Sequence, residues 1–290
     1  MARKLKLYGQ IQVLRERYYK ALSGKESLVK IIAESEIPEQ VYNSNAIENS
    51  TLTLEETEKI LLQIDLDRFV AGREIFEAKN LARVVSYIDT KAKEAELSSE
   101  IILFLHKMLL AHIRDDVAGR FRSQGEWVRV GAHIGADPKD IDVLISAMIA
   151  AHHAAAHEHI VRRVASLHLA FESIHPFVDG NGRIGRALNN YVLVREGYVP
   201  INIAFIDRAS YYEACAAFDK NGDTARMEEI VGKALAMSYH KRLAYLEGKR
   251  IIALSAYAKE RTLSPSNLIN KAKRQTIEAF LEKGVWKIGV

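Results

Sequence analysis

An all-α protein with one small β-hairpin is the fold class that the sequence predicts. Apolar residues recur at spacings of three and four over most of the 290 residues, as they do on one face of an α-helix. Helix-start signals, such as the capping box of Thr53 and Glu56, precede several of these runs. A single short segment, residues 127–134, alternates with period two, which is typical of a strand.

The N-terminal part of the chain should form four helices. The first lies around Ile11 and Leu14, and the second lies around Ile31. A third begins at the capping box of Thr53, and a long fourth helix covers about residues 68–94.

The middle of the chain should hold two helices and the hairpin. Ser98 or Ser99 is a suitable N-cap for one helix, and Asp137 followed by Pro138 is a start signal for the next. Glycines interrupt the alternating segment between them, which predicts a flap with exposed backbone edges. The apolar residues of this predicted flap are Val128, Val130 and Ile134.

Further helices are predicted over residues 160–173, 183–196, 208–218 and 224–247. The last forty residues differ in character, because Ser264-Pro265 opens a basic helix that contains Lys271 and Lys273. We therefore divide the chain into an N-terminal helical region (1–97), a central helical core (98–247) and a C-terminal helical appendage (248–290).

Composition excludes several classes of protein. With 48% apolar and 27% charged residues the chain is neither disordered nor collagen-like, and a single cysteine, Cys215, excludes an internal disulfide. A net charge of +4 over this length does not indicate a nucleic-acid partner. The longest charge-free run, residues 143–157, is too short for a membrane span, and the N-terminus does not resemble a signal peptide. We expect a cytoplasmic protein with no membrane or nucleic-acid partner.

The residues best suited to chemistry lie together in segment 175–186, which reads HPFVDGNGRIGR. Pro176 disfavours helical geometry at His175, so the preceding helix should end there. Gly180 and Gly182 permit a tight turn whose backbone N–H groups point inward. A loop that leads into a helix N-terminus is a binding site for anions.

The charged residues of this segment indicate which anion it binds. Arg183 and Arg186 share one face of the first helical turn, and two guanidinium groups suit a di- or triphosphate. Asp179 offers the hard oxygen that Mg²⁺ takes beside phosphates, and His175 is a suitable general base at neutral pH. These residue types predict nucleotidyl or phosphoryl transfer.

Three other interpretations are weaker. The segment could be a structural turn whose Asp179 and Asn181 satisfy only backbone groups. A calcium loop is excluded, because Ile184 stands where an EF-hand requires glycine. The histidines between residues 152 and 159 lack the HExxH pattern of a zinc enzyme, so a helix end explains them better.

Segment 175–186 resembles the signature of the Fic family, HPFx[D/E]GNGRxxR, and agrees with it at every fixed position. The resemblance implies a helical core that transfers AMP from ATP to a hydroxyl side chain of a target protein, with Mg²⁺ as cofactor. It implies that His175 is the base, Asp179 the Mg²⁺ ligand and Phe177 the anchor of the loop. The residues that it places on the ATP phosphates are Gly180, Asn181, Gly182, Arg183 and Arg186, with the two arginines on the β- and γ-phosphates.

Two further segments resemble parts of the family. Tyr211 and Tyr212 are similar to the tyrosines that line its adenine pocket, with packing in the core as the alternative role. Residues 119–122 and 128–134 resemble its flap, which holds an extended target segment by strand addition.

A second motif is similar to the family's inhibitory sequence, [S/T]xxxE[G/N], and covers Ser44 to Asn49. Glu48 could pair with Arg186 and occupy the fork that should hold the γ-phosphate. We therefore expect an autoinhibited resting state, in a subgroup whose inhibitory motif precedes the core.

Two rival functions stay open at this stage. Glu48 is also compatible with an enzyme that removes AMP from protein, a de-AMPylase, and a non-catalytic nucleotide- or peptide-binding regulator is the other rival. The expected partners are ATP and a target protein, which includes the chain itself, and a homo-oligomer is compatible with the sequence.

Overall fold

Helices dominate the protein, as the sequence predicts. The computed structural model describes residues 2–130 and 133–290. The first six α-helices in this part are α1 (Ala2–Leu22), α2 (Glu26–Ile47), α3 (Leu54–Leu61), α4 (Gly72–Lys91), α5 (Ser99–Leu110) and α6 (Ile141–Ala154). The next six are α7 (Ile160–Ile174), α8 (Asn181–Arg195), α9 (Arg208–Asn221), α10 (Ala225–Leu246), α11 (Leu254–Glu260) and α12 (Pro265–Lys273). The strands are β1 (Arg129–Val130), β2 (His133–Ile134), β3 (Ile251–Ala253), β4 (Ala279–Glu282) and β5 (Val285–Gly289).

The predicted helix starts are confirmed by their capping bonds. The Thr53 hydroxyl accepts from the Glu56 amide at 3.1 Å, and the Glu56 carboxylate accepts from the Thr53 amide at 2.8 Å. The predicted long helix begins later than expected, at Gly72, because Asp67 and Arg68 form ion pairs with side chains of α3 instead of continuing a helix.

The chain forms two compact units. The terminal unit comprises the chain up to Glu36 together with Val199–Asn202 and Val231–Val290, and the core unit comprises Ile37–Tyr198 and Ile203–Ile230. Within the terminal unit, α1 buries Ile11, Leu14 and Tyr18, and the Tyr18 ring meets Tyr239 edge-on. The three-part division made from the sequence stays a prediction.

The core unit is built around α7 and α8, which pack against each other and connect through segment 175–180. Phe171, Phe177, Ile184 and Leu188 are fully buried along this contact. Helices α4, α5 and α6 pack around the pair. The HPF–GNGR segment therefore lies between two well-packed helices, which fixes its ends.

The predicted hairpin is confirmed. Strands β1 and β2 pair antiparallel, with Arg129 opposite Ile134 and Val130 opposite His133. The side chain of Val130 lies outside the described part of the chain, as do residues 131 and 132.

The C-terminal appendage differs from the prediction of helices alone. Its basic helix is confirmed as α12, with Ser264 as N-cap and Pro265 in the first turn. Strands β3, β4 and β5, however, form an antiparallel sheet that the sequence did not indicate. The strands are only three to five residues long, and apolar runs of this length do not distinguish a strand from a helix end. None of the described helices combines the length and the apolar character that a membrane crossing requires.

A buried ion-pair network stabilises the terminal unit. The Arg242 side chain is 2% exposed and donates to both carboxylate oxygens of Glu36, at 2.6 and 3.3 Å. Lys241, also buried, pairs with Glu36 at 3.3 Å and with Glu282 at 2.7 Å. Removing one partner of such a network leaves a charge in the interior.

We expect Glu36→Ala to lower the free energy of unfolding by about 3 kcal/mol or more, because Arg242 then stays buried without its carboxylate. Urea and thermal unfolding followed by circular dichroism would measure the change. Glu260→Ala, which removes an exposed pair with Arg250, is the matched control and should cost about 1 kcal/mol or less. Equal effects of the two substitutions would contradict the assignment.

Candidate active site

The loop between α7 and α8 is held by its own backbone and one asparagine. His175 ends α7 in the left-handed conformation, with φ of 51°, and its amide donates to the Phe171 carbonyl at 2.9 Å. Gly180 precedes α8 with φ of 82°. The Asn181 side chain accepts from the Phe177 amide and donates to the Phe177 carbonyl, both at 2.8 Å. The loop is therefore closed by side-chain bonds, and the first amides of α8 stay available for an anion.

His175 has the tautomer and the charge that a base requires. Its Nδ1 lies 3.3 Å from the Glu172 carbonyl, which makes Nδ1–H the donor and leaves Nε2 free to accept a proton. Burial lowers the pKa of His175 to about 4, and the backbone bond to Glu172 offsets this only in part. The imidazole is consequently neutral at pH 7.

Arg186 is fully engaged by the end of α2. Its Nε donates to the Ser44 hydroxyl at 3.0 Å, and its Nη2 donates to the Ser44 carbonyl at 2.8 Å and to the Glu48 carboxylate at 2.9 Å. The other nitrogen, Nη1, lies 3.4 Å from the Tyr211 hydroxyl. The two fixed residues of the predicted inhibitory motif, Ser44 and Glu48, are thus in direct contact with Arg186.

The Glu48 carboxylate lies against the turn that should bind phosphate. A Cβ added to Gly182 would lie 2.1 Å from Glu48 Oε1 and 3.1 Å from Arg186 Nη1. Only glycine at this position leaves room for an anionic oxygen beside the first turn of α8. In this structure that oxygen belongs to Glu48.

A closed ring of charges surrounds Asp179. Arg183 Nη2 donates to Asp179 Oδ1 at 3.0 Å, and Arg183 Nη1 lies 3.1 Å from Glu77 Oε1. Arg73 closes the ring, because it contacts Asp179 Oδ2 and also donates to Glu77 at 3.0 Å. Burial would raise the pKa of Asp179, but Arg183 and Arg73 lower it below its usual value. The carboxylate is therefore ionised, and in this structure each of its two oxygens is paired with an arginine.

The two candidate tyrosines lie in different environments. Tyr211 is buried, with its hydroxyl 2.8 Å from His168 Nε2 and its ring 5.6 Å from the Arg186 guanidinium carbon. Tyr212 is half-buried, and its hydroxyl donates to the Ile47 carbonyl at 3.2 Å. Tyr211 thus contacts Arg186 from the protein interior, whereas Tyr212 lies at the edge of the site.

Glu172 is a site residue that the sequence analysis missed. Its carboxylate lies 3.9 Å from His175 Nδ1, and burial together with the nearby charge of Glu48 raises its pKa to about 8. A Cβ on Gly185 would lie 2.5 Å from Glu172 Oε1, so glycine there makes room for this carboxyl group. Glu172 is mostly neutral at pH 7 and adds little negative charge beside the base.

His106 supports the loop from α5, and sequence reasoning missed it too. Its ring stacks on Phe177 at 3.6 Å. The Gly119 amide donates to Nδ1 at 3.0 Å, so the proton lies on Nε2, which donates to the Asp179 carbonyl at 3.0 Å. Burial lowers the pKa of His106 to about 4, which keeps this tautomer neutral.

Arg122 joins the flap to the loop. Its buried guanidinium donates to the His175 carbonyl at 2.9 Å and to the Ala136 carbonyl at 2.8 Å. The flap itself presents an exposed Ile134, with 60% of its surface accessible, whereas Val128 is half-buried and accepts from the Gly135 amide at 3.2 Å. The flap edge therefore lies beside His175.

The structure brings most of the candidate residues to one place. These are Ser44, Glu48, His175, Asp179, Gly180, Asn181, Gly182, Arg183 and Arg186. The Asn181 side chain is used by the loop, so this residue has only its amide to offer an anion. In the described part of the chain no three His, Cys, Asp or Glu side chains form a group that could hold a metal ion, and Asp179 offers a single carboxylate.

Comparison with known proteins points to one family. The model of the Fic/DOC family matches residues 96–193. A relative from Nematostella vectensis named Protein adenylyltransferase Fic is 30% identical over 214 residues, which are 71% of this chain and 49% of that protein. A protein of the same name from Drosophila melanogaster is 31% identical over 229 residues, 73% of this chain and 45% of that protein. The chain thus spans about half the length of these relatives.

Solved structures show the same fold. A Fic domain-containing signaling protein from Bacteroides thetaiotaomicron superposes with a TM-score of 0.74 at 24% identity, and the match covers 83% of this chain and 98% of that one. A Fic family protein from Desulfovibrio desulfuricans superposes with a TM-score of 0.71 at 20% identity, over 100% of this chain and 96% of that one. The helical fold predicted from the sequence is therefore confirmed.

The low pKa of His175 can be measured directly. Histidine-labelled protein titrated by NMR should show the His175 imidazole with a midpoint near pH 4, because burial disfavours the charged ring. His175→Ala identifies the resonance by its loss. A midpoint near the ordinary value of about 6.5 would show that the imidazole is solvated and carries charge below neutrality.

Proposed function

We propose that this chain, which belongs to the Fic/DOC family through residues 96–193, is a protein adenylyltransferase. The reaction would move AMP from ATP to a hydroxyl side chain of a target protein and release pyrophosphate. The observation that carries the proposal is a neutral, half-buried His175 beside the start of a helix that carries two buried arginines, Arg183 and Arg186. We also propose the cytoplasm as its location.

Each step has a residue suited to it. His175 Nε2 would accept the proton of the target hydroxyl, whose oxygen attacks the α-phosphorus of ATP. The bond from the α-phosphorus to the bridging oxygen breaks, and pyrophosphate leaves. The amides of Gly180, Asn181 and Gly182 would hold the α- and β-phosphates, with Arg183 on the β- and Arg186 on the γ-phosphate.

Asp179 is suited to Mg²⁺. A single ionised carboxylate, outside the first turn of a phosphate-binding helix, is the usual protein contribution to a Mg²⁺ ion that phosphates otherwise surround. When bound, the ion neutralises charge on the transferring phosphates. Tyr212, half-buried at the edge of the site, is the more accessible of the two tyrosines for stacking on the adenine.

The flap is suited to hold the target. Strands β1 and β2 form a two-stranded hairpin with open edges, to which an extended segment can add through backbone bonds. Ile134 is 60% exposed and Trp127 is 58% exposed, so both can contact side chains of that segment. Because backbone bonds dominate this mode, an exposed hydroxyl residue of the chain itself is a suitable first target.

We also propose that Glu48 keeps the enzyme in an autoinhibited state. Its carboxylate takes the Arg186 nitrogen and the space beside Gly182 that the phosphates need. One anion has to leave before the other can bind productively. Activation then requires that the end of α2 releases Arg186.

The test is the intact mass of the protein after incubation with ATP and Mg²⁺. We expect an AMP adduct in Glu48→Gly at roughly ten times the wild-type level or more, the effect of about 1.4 kcal/mol of competition for the arginine. Adding His175→Ala should abolish the adduct while ATP binding, measured by calorimetry, is kept. Glu34→Gly is the matched control, because it places glycine at an exposed glutamate of the same helix.

Other outcomes would contradict parts of the proposal. Loss of ATP binding in His175→Ala would remove its role as the base. A large effect of Glu48→Gly in an Arg186→Ala background would mean that the two residues do not act through each other. If none of the variants modifies itself or any protein of a cell lysate, but Glu48-containing protein removes AMP from a modified target, the enzyme is a de-AMPylase.

The ring around Asp179 generates a separate prediction. Arg73 is half-exposed and occupies an oxygen of the proposed Mg²⁺ ligand, so Arg73→Ala should lower the Mg²⁺ concentration for half-maximal transfer. An exposed ion pair is worth about 1 kcal/mol or less, which corresponds to roughly two- to fivefold. The measurement uses the Glu48→Gly background, with Arg226→Ala as a control for losing an exposed arginine. An unchanged or higher Mg²⁺ requirement would contradict the role of Arg73.

A further inference from the structure

The C-terminal segment has a definite topology that adenylyl transfer does not explain. Along the chain the order is β3, α11, α12, β4 and β5, and the sheet order is β3-β5-β4 with both pairs antiparallel. Four residues, 261–264, join α11 to α12. Two helices joined by a short turn and followed by a two-stranded hairpin form a winged helix-turn-helix, in which the second helix is the one that enters the major groove of DNA.

This segment has its own apolar core. Leu254 and Ala258 of α11 pack with Leu268 and Ala272 of α12 and with Ala279 and Ile288 of the sheet. Trp286 and other half-buried apolar residues cover this cluster. The core fixes the angle at which α12 is presented, so its outer face is a rigid surface.

The outer face of α12 is polar and basic. Leu268 and Ala272 face the core, whereas Asn267, Asn270 and Arg274 are exposed and recur at spacings of three and four. Lys271 and Lys273 are exposed on either side of them. Lysine and arginine neutralise phosphates, and asparagine pairs bidentately with the major-groove edge of adenine.

Charge is concentrated in this part of the chain. Residues 248–290 contain nine lysines and arginines but three glutamates, which gives a net charge of +6. The other 247 residues contain 32 basic and 34 acidic side chains and have a net charge of −2. Among the described ion pairs none involves Lys271, Lys273 or Arg274, so the positive charge of α12 is not neutralised within the protein.

The hairpin is positioned as a wing. Strands β4 and β5 are joined by the two-residue turn Lys283-Gly284, whose φ angles of 50° and 75° are those of a tight hairpin turn. Lys283 is exposed at its tip. A cation at this point can contact the phosphate backbone beside the groove that α12 would occupy.

We propose that residues 251–289 bind double-stranded DNA, with α12 in the major groove and the β4–β5 wing on the adjacent phosphates. The net charge of the whole chain, +4, does not indicate a nucleic-acid partner, because the acidic side chains of the other 247 residues offset the positive charge of this segment. The proposal therefore reverses that expectation. It does not depend on the proposed adenylyl transfer.

The experiment uses the full chain and fluorescence anisotropy of a labelled 30-base-pair duplex of random sequence, at several salt concentrations. Wild type should bind with an affinity that falls linearly with salt on logarithmic axes. The triple variant of Lys271→Ala, Lys273→Ala and Arg274→Ala should bind about tenfold or more weakly, and its salt slope should be smaller by roughly two to three. The matched control removes three exposed lysines elsewhere, at Lys30, Lys93 and Lys107.

Circular dichroism and self-modification in the Glu48→Gly background show whether the triple variant is folded and whether its core unit is intact. Equal weakening in both triple variants would overturn the proposal, because DNA binding would then depend on the overall positive charge of the protein and not on α12. The same holds if single-stranded RNA binds more tightly than the duplex, or if light scattering shows that α12 pairs two copies and no duplex binds at 50 mM salt.

Sequence readout by α12 is tested by selecting a preferred duplex from the random pool. Asn267→Ala should lose the preference for the selected sequence, by roughly 1 kcal/mol or more, which is at least about fivefold. Its affinity for the random pool should stay unchanged, because this side chain carries no charge. Loss of affinity for both duplexes, or for neither, would contradict a base contact by Asn267.

Discussion

The reciprocal hydrogen bonds between the Asn181 side chain and the Phe177 backbone are the interaction on which the rest of the candidate site depends. They close the loop between α7 and α8 without using the amides at the start of α8. Those amides, and the helix face that carries Arg183 and Arg186, can then point at one anion. The same closure allows His175 to adopt its left-handed conformation, which tertiary bonds have to stabilise in a residue with a side chain.

In this structure the cations of the site are satisfied by carboxylates of the protein. Arg186 holds Glu48, while Arg183 holds Asp179 and Glu77. A buried arginine without a partner would be costly, so these carboxylates stabilise the ligand-free site. When a nucleotide binds, its phosphate oxygens would replace these carboxylate oxygens on the arginines. The free-energy difference between the carboxylate-bound and nucleotide-bound states can then be small, so that a modest signal can shift the equilibrium between them. The proposed autoinhibition follows from this exchange.

Sequence reasoning located the loop because its chemistry is contiguous, and the helices because their periodicity is strong. It proposed the pair of Glu48 and Arg186, 138 residues apart, only through a family resemblance. The roles of Arg73, Glu77 and Glu172 could not be predicted, since each acts on the loop through tertiary contact and carries no local pattern. The C-terminal sheet was missed because its strands are short, although the basic helix of that segment was predicted.

The close approach of Glu172 to Gly185 restricts how related sequences can diverge. The carboxyl group lies where the side chain of any other residue at position 185 would begin. A lineage that gains alanine at 185 has to shorten or move the side chain at 172, and the His168 ring, 3.1 Å from the added carbon, has to shift slightly as well. Positions 172 and 185 should therefore vary together. Related sequences should combine glutamate at 172 with glycine at 185, or a shorter side chain at 172 with alanine at 185.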